Sequence, residues 1–308
     1  MVTNLKEGSK LGFAAKPASL MRRKDKIEPW LFVLPGIIFT LVLRYIPIFQ
    51  SVWFSFHDYD IVNPPGKFVG LDNFITILTR DASFIQSWKN SLMFFLLSLL
   101  ITFAIPIIQA VFLSEVFRGR SLFSAIYIIP AMIPGTIYIV LWKWIWNPSF
   151  GIANVLLESF NIPPSAWLSN PSLVKFCIVF PGIIGGGFMV LYYLAAILAI
   201  PSDIYEAAAL DGCTGFKKVW HIVLPNIRFL ILINLILCFI GVMQEFDKQY
   251  QYTKGGPAGS AFTIGIYIFD QYFTYMKIGK SSAAAVLLFL VILVLTVIQQ
   301  KLSKSVED

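Results

Sequence analysis

Apolar runs of about 20 residues recur along the chain, a length typical of α-helices that cross a bilayer. Pro35 and Pro47 interrupt the first run and Pro106 interrupts the second. Spanning helices tolerate proline when neighbouring helices satisfy the freed backbone groups. The pattern predicts an all-α membrane protein with six transmembrane helices, at residues 30–56, 91–113, 122–146, 173–200, 226–243 and 282–298.

The composition also excludes an ordinary soluble protein. Of 308 residues, 57% are hydrophobic and 13% are charged, whereas about a quarter of residues are charged in typical soluble domains. The net charge of +7 could suggest nucleic acid, but the basic residues border the apolar runs. We therefore expect the lipid bilayer as a partner and no nucleic acid.

No constellation in the sequence indicates catalysis or a bound metal. Cys177, Cys213 and Cys238 are spaced by 36 and 25 residues, which matches neither a metal site nor a disulfide framework, so we treat them as small apolar residues. His57 and His221 are far apart in the sequence and are predicted on opposite sides of the membrane. We expect a chain that is not an enzyme and binds no cofactor.

The tripeptide Gly279-Lys280-Ser281 imitates the end of a phosphate-binding P-loop. Thr274, however, stands where the first glycine of that motif belongs, and no strand is predicted before it. We therefore do not expect this chain to bind or hydrolyse ATP.

The positions of Lys and Arg predict the orientation of the chain. With the amino terminus inside, fourteen of these residues fall on the cytoplasmic side and seven outside, and the positive-inside bias follows such counts. Both termini are therefore predicted to be cytoplasmic. Residues 1–29 would form a basic tail, 30–301 the transmembrane domain, and 302–308 a short second tail.

The longest cytoplasmic connection, residues 201–225, is predicted to contain a short helix. Ser202 or Asp203 can cap its first amides, and Asp203 with Glu206 places negative charge where the helix dipole favours it. Gly212 and Gly215 would permit a bend afterwards. From these features alone, an amphipathic helix lying at the lipid headgroups is an equal alternative to a helix that docks on a partner.

The same connection resembles the EAA loop of ABC importer permeases. The resemblance rests on Glu206-Ala207-Ala208, on Gly212 and on Ile222-Val223-Leu224-Pro225. Further segments resemble the carbohydrate, maltose-type branch of that family, in the subgroup for larger oligosaccharides: 68–74, 130–134, 147–154 and 255–257.

The resemblance implies a type I importer permease fold with a cytoplasmic coupling helix that inserts into a separate ATPase. It also implies a second homologous permease, two ATPase subunits and an extracytoplasmic sugar-binding protein as partners. The residues that it assigns to ATPase coupling are Glu206, Ala207, Ala208, Asp211, Gly212, Phe216, Leu224 and Pro225.

A sugar path needs aromatic faces together with side chains that bond hydroxyl groups. Two stretches provide them, and the resemblance places both in cavity-lining spans; the candidates are Gly185, Phe188, Met189, Gln244, Glu245 and Tyr250. Close helix packing through Gly182 and Gly186 is an equal alternative for the glycines. Maltose-type permeases often carry Asn where this chain has Val242 and Glu245, so a different ligand set is expected.

Trp142, Trp144 and Trp146 end the third run together with Lys143, and we interpret them as an aromatic belt at the membrane surface.

The predicted function is that of a permease subunit that forms half of the pathway of an ATP-driven oligosaccharide importer. One alternative is import of another polar solute, such as glycerol phosphate or an amino acid. A proton-coupled secondary transporter is less favoured. It needs paired buried carboxylates and an internal repeat, and the sequence shows no convincing instance of either.

Overall fold

The computed structural model describes residues 23–60, 62, 64, 66–116 and 118–307. These residues are mostly helical, which confirms the predicted all-α class. The predicted basic tail lies outside the described residues as far as position 22, and so does Asp308 of the second tail.

The chain divides into two compact units, Met1–Gln50 and Ser51–Asp308. In the described part of the first unit, α1 (Arg23–Thr40) continues through a π-helical turn, Leu41–Tyr45, into α2 (Ile46–Ser55). The last residues of α2 belong to the second unit.

The second unit begins with a small antiparallel sheet that pairs β1 (His57–Asp58) with β2 (Lys67–Phe68). Its helices are α3 (Asp72–Thr79), α4 (Ala82–Ser98), α5 (Ala104–Ser114), α6 (Arg120–Ala131), α7 (Gly135–Ile145), α8 (Ile152–Ser159), α9 (Val174–Val179), α10 (Gly182–Gly185), α11 (Gly187–Leu198), α12 (Ser202–Leu210), α13 (Phe216–Lys218), α14 (Leu224–Asn226), α15 (Arg228–Gln244), α16 (Asp247–Thr253), α17 (Ile264–Phe269) and α18 (Ile278–Glu307). Further π-helical turns lie at Leu99–Phe103, Val219–Val223 and Asp270–Thr274, and a 3₁₀ turn at Trp167–Ser169.

By length and composition, three helical stretches of the described chain can cross a membrane: Trp30–Ser55, Ala82–Ser114 and Ile278–Lys301. Up to six spans result when each bent helix pair counts as one. The bends measure 89°, 51° and 72°, for Arg120–Ala131 with Gly135–Ile145, Val174–Ile184 with Gly187–Leu198, and Phe216–Asn226 with Arg228–Gln244.

The third span is not the single helix that the sequence predicts over 122–146. It breaks after Ala131, and α7 starts at Gly135 in a direction 89° away. Pro134 occupies the N-cap of α7 with φ −54° and ψ 135°. Because proline lacks an amide donor and disfavours a helical residue before it, the helix cannot continue through Ile133 and Pro134.

The fourth predicted span, 173–200, is also interrupted. Gly186 separates α10 from α11. The fifth is a straight helix, α15, but the chain turns by 72° before it, at Ile227 with φ −100° and ψ 9°. The sixth predicted span starts earlier than expected, at Ile278, and its helix continues to Glu307.

Three clusters of buried apolar side chains form the core of the second unit, around Trp146, Tyr193 and Tyr267. The first cluster corrects the prediction of an aromatic belt. Trp142 and Trp146 are buried, and the Trp146 indole donates to the Cys177 carbonyl over 3.1 Å. Trp144, in contrast, is 68% exposed. The sequence-based interpretation failed because side chains two residues apart on a helix face different directions.

Asn90 of α4 holds the loop that precedes α17. Its Nδ2 atom donates to the carbonyls of Gly259 at 2.8 Å and Phe262 at 2.9 Å. The neighbouring Ser91 hydroxyl accepts from the Ile264 amide at 3.0 Å. The loop that contains Gly259 is therefore fixed to the second membrane-spanning stretch.

Candidate coupling helix and solute cavity

Helix α12 carries the Glu206-Ala207-Ala208 motif at the surface of the chain. Glu206 and Ala207 are exposed, Ala208 is half-buried, and Leu210 at the helix end is 91% exposed. The small alanine side chains leave the helix backbone accessible to another surface.

Helix α12 ends in a Schellman motif centred on Gly212. The Gly212 amide donates to the Ala209 carbonyl at 3.1 Å and the Cys213 amide donates to the Ala208 carbonyl at 2.8 Å, which satisfies two free carbonyls of the last turn. Gly212 has φ +73°, and a Cβ atom there would meet nothing within 4 Å. Gly212 is therefore required for its left-handed backbone and not for space.

The start of α12 differs from the prediction. Pro201 is the N-cap, and neither Ser202 nor Asp203 caps a helix amide. The Ser202 hydroxyl instead donates to Asp203 Oδ1 at 3.3 Å. Since Pro201 precedes the helix with an extended ψ of 140°, Ser202 becomes the first helical residue. Asp203 still places its charge in the first turn, as predicted.

Two contacts fix the segment that contains α12 to the helical bundle. Lys218 Nζ forms an ion pair with Glu115 Oε1 at 2.7 Å and lies 5.8 Å from the centre of the Tyr205 ring. The Tyr205 hydroxyl donates to the Ile197 carbonyl at 3.4 Å. Burial, and then the Glu115 charge, raise the pKa of Tyr205. These contacts connect the segment with the C-terminal end of α5 and with α11.

The chain returns to the bundle along residues 216–225. Phe216 is 78% exposed and stacks on the exposed Trp220, with ring centres 6.4 Å apart. Leu224 is half-buried and Pro225 is exposed. Of the predicted coupling residues, the exposed ones are Glu206, Ala207, Asp211, Gly212, Phe216 and Pro225.

Two cavities meet at the break between α15 and α16. They have volumes of about 640 Å³ and about 300 Å³, and both are lined by Thr102, Glu245 and Lys248. The larger also touches the break in the third span at Ile133. The smaller lies between α4, α9 and α15.

The predicted path residues do not all lie at these cavities. Met189 and Glu245 line the larger cavity. Phe188 and Gln244 are exposed on the surface of the chain. The Tyr250 ring stacks on Phe246, with centres 4.9 Å apart. Gly185 ends α10, beside the cavity-lining Gly186.

Both alternatives for the glycines, close helix packing and a position at a cavity, apply in the structure. A Cβ atom at Gly186 would come within 3.3 Å of Pro106 Cγ, and one at Gly182 would overlap the Thr102 methyl group. Both glycines nevertheless line the larger cavity. Close helix packing and exposure to a cavity therefore occur on the same helix surface.

Sequence reasoning missed polar residues of α16 that line these cavities, among them Lys248, Gln249 and Tyr252. Lys248 and Gln249 line the smaller cavity, and Tyr252 lines the larger. Burial lowers the pKa of the Lys248 ammonium, and the nearby Glu245 carboxylate opposes this shift. Residues 248, 249 and 252 share one face of α16, a pattern that can be recognised only once the start of this helix at Asp247 is known.

The rejected P-loop tripeptide lies in the first turns of α18. Ser281 donates to the Ile268 carbonyl at 2.8 Å, and a Cβ atom at Gly279 would overlap the His57 carbonyl. These positions are used for packing. Within the described ranges, no group of His, Cys, Asp and Glu could hold a metal ion.

Comparison with known proteins places the chain in a family. Residues 103–308 match the family described as "binding-protein-dependent transport system inner membrane component". The trehalose/maltose transport system permease protein MalF of Thermococcus litoralis is 31% identical over 292 residues, which cover 94% of this chain and 98% of that protein. The sn-glycerol-3-phosphate permease protein UgpA of Agrobacterium fabrum is 27% identical and covers 89% and 94%.

The fold is also similar to solved structures. A chain in the crystal structure of a bacterial ABC transporter that imports the acidic polysaccharide alginate has a TM-score of 0.81 and 26% identity, with 92% of this chain and 99% of that chain covered. The family match extends over more than half of the sequence. This chain therefore belongs to the inner membrane components of binding-protein-dependent transport systems, and it is a multi-pass, non-catalytic permease subunit of an ABC importer.

Proposed function

We propose that this chain is a permease subunit of a sugar importer for oligosaccharides, that it forms half of the translocation pathway, and that α12 couples it to a separate ATPase. The observation that carries the coupling role is the placement of Glu206 on an exposed helix whose flanking segment is ion-paired to the bundle. A second permease, two ATPase subunits that bind ATP and Mg²⁺, and an extracytoplasmic binding protein complete the assembly.

The geometry of α12 supports force transmission. A rigid helix that is held by Lys218 and Tyr205 passes a displacement to the bundle, whereas a loose loop would absorb it. Exposed Leu210 and Phe216 provide apolar contacts beside the Glu206 charge. These features favour a protein partner. The distribution of Lys and Arg along the sequence supports a cytoplasmic location of α12 and of both termini.

The substrate class rests on the cavities and the relatives. The cavities combine the aromatic ring of Tyr252 with the carboxylate of Glu245, two kinds of group that bind sugars. The relative from Thermococcus litoralis is named for trehalose and maltose transport. Glycerol phosphate is the second candidate because of the UgpA relatives; the Glu245 carboxylate disfavours that anion.

Cross-linking from position 206 tests the coupling role. Cys177, Cys213 and Cys238 are replaced by Ala, Glu206→Cys is introduced, and the complete importer is treated with a short thiol-to-amine cross-linker. We expect a product with the ATPase subunit. Leu100→Cys, on an exposed membrane-facing position of the second span, is the control and should give no such product. Attachment of position 206 to lipid alone would refute the coupling role.

A further inference from the structure

We propose that the groove between the end of α5 and the helical segment 216–226 binds an anionic phospholipid, from the leaflet on the α12 side of the membrane. One acyl chain lies in the groove, and the Lys217 and Arg228 side chains bind the phosphate-bearing headgroup. The inference concerns a lipid and not the transported solute, so it goes beyond the proposed transport function.

The groove has walls suited to hydrocarbon. One wall is formed by Ile107, Ile108, Val111 and Phe112 of α5, and the facing wall includes Val219 and Trp220. Its volume of about 580 Å³ lies within the usual range of roughly 300–1,000 Å³ for small-molecule sites. An acyl chain is an apolar ligand that matches such walls.

The α5 wall belongs to the surface of a membrane span. Ile108 and Phe112 lie in the last two turns of the stretch Ala82–Ser114 and are 52% and 71% exposed. Exposed apolar side chains of a span contact lipid tails, which are as apolar as the side chains themselves. The groove therefore continues the lipid-facing surface of this span to its end.

The facing wall runs close to the membrane plane. Phe216–Asn226 is bent by 72° from α15, and membrane spans tilt by only about 20° on average from the membrane normal. Trp220, on this segment, is 62% exposed and stacks on Phe216. Because tryptophan is enriched where the bilayer meets water, the segment is placed at the level of the headgroups.

The borders of the groove carry an excess of positive charge. Segments 114–120 and 216–228 contain one carboxylate, Glu115, and five basic residues: Arg118, Arg120, Lys217, Lys218 and Arg228. The ion pair with Lys218, at 2.7 Å, already neutralises Glu115. Lys217 and Arg228 are exposed, and the described residues provide neither with a carboxylate partner. Basic residues next to a span attract anionic lipids, so the charges select the headgroup.

The depth of the groove favours a lipid over the ATPase as its occupant. Ile108 lies six residues before the end of the span at Ser114, which is about 9 Å along the helix. A soluble subunit does not enter the hydrocarbon region, whereas an acyl chain does. The Lys217 side chain lies in the sequence between two lining residues, Phe216 and Lys218, where a headgroup above that chain would be.

Photolabelling of the assembled importer in phosphatidylcholine nanodiscs tests the site. One probe is phosphatidylglycerol with a diazirine on its acyl chain, and the other is phosphatidylcholine with the same chain. Labelled peptides are mapped by mass spectrometry for the wild type, for the double variant Lys217→Gln with Arg228→Gln, and for Ile108→Trp, which narrows the groove. Lys67→Gln and Leu100→Trp, at exposed positions of β2 and of the same span, are the matched controls.

We expect the anionic probe to label peptides 107–112 and 219–224 of the wild type at least about 5-fold more than the neutral probe, which is the effect of one basic residue at the membrane surface. The double variant should lose this preference. Ile108→Trp should lower labelling of 219–224 by both probes, and the controls should behave like the wild type. Labelling of α18 in the same sample is the internal reference for folding, and the wild-type comparison stands even where a variant fails to fold.

Three results would overturn the proposal. Equal labelling by both probes in the wild type would show only the lipid that surrounds every span. Groove peptides that neither probe reaches would show that another protein chain covers the groove. A preference that survives in the double variant would remove the headgroup contact from Lys217 and Arg228. None of these results affects the proposed coupling role of α12 or the proposed sugar import, which are tested separately.

Discussion

Lys218 Nζ and Glu115 Oε1 lie 2.7 Å apart, so an ion pair joins the segment after α12 to the residue that follows α5. The Lys218 side chain is the more buried of the two, at 25% exposure against 53% for Glu115. The pair thus connects the candidate coupling helix with the end of the second membrane-spanning stretch.

Breaking this ion pair should weaken coupling more than folding. Glu115→Gln or Lys218→Met should lower the free energy of unfolding by less than about 1 kcal/mol, because partly exposed pairs contribute little. ATP-driven uptake by the reconstituted importer should fall, since α12 is then less firmly held. The exchanged pair, Glu115→Lys with Lys218→Glu, should restore part of the uptake; strictly additive losses would show that the two charges do not act together.

Reversing the charge at Glu206 should abolish association with the ATPase. Glu206→Lys keeps an exposed side chain on α12, so we expect normal membrane insertion together with loss of ATPase co-purification and of uptake. Asp58→Lys makes the same change of charge at an exposed position of β1 and should retain both. Normal uptake by Glu206→Lys would remove this residue from the coupling site.

Replacing Gly212 should destabilise the end of α12. Gly212→Ala forces an alanine to φ +73° and should cost about 1–2 kcal/mol, whereas Gly212→Asn should cost less because Asn tolerates this conformation. Thermal unfolding and ATPase co-purification measure the effect. Gly36→Ala, where a Cβ atom meets nothing within 4 Å in α1, should show no loss, and an equal loss there would contradict the backbone explanation.

The exposed Trp144 of α7 and the buried Trp146 directly after this helix should differ in their contribution to stability. Trp146→Phe removes the indole that donates to the Cys177 carbonyl and should lower stability by about 1–3 kcal/mol, because it leaves a buried acceptor unpaired. Trp144→Phe, at a 68% exposed position, should change it by less than about 0.5 kcal/mol. Similar melting temperatures of the two variants would contradict this assignment.

The sequence predicted the elements whose causes are local. The apolar runs at 30–56 and 226–243 correspond to the helical stretches Trp30–Ser55 and Arg228–Gln244, since run length alone indicates a spanning helix. The exit from α12 was also predicted, because Gly212 is needed for a left-handed residue after the helix.

Features that depend on tertiary contacts were not predicted. The break before Gly135 has a local cause, Pro134, which the hydropathy of residues 122–146 does not show. The tryptophans beyond it, in contrast, look alike until their neighbours are known. Tyr250 was chosen for its aromatic ring, yet Tyr252 lines the cavity, because the break after Gln244 resets the helix phase. The placement of the site residues on partners remains a prediction.

Asn90, which binds the carbonyls of Gly259 and Phe262, and Glu115, which pairs with Lys218, lie at opposite ends of one helical stretch. Both residues belong to, or directly follow, the same uninterrupted helical stretch, Ala82–Ser114, and at 1.5 Å per residue they lie nearly 40 Å apart along it, roughly the thickness of a bilayer with its headgroups. Under the proposed coupling role, a displacement of the segment after α12 would be transmitted along this one helical stretch to the opposite end of the bundle. The π-helical turn Leu99–Phe103 lies midway along the stretch, and turns of this kind often occur at functional sites.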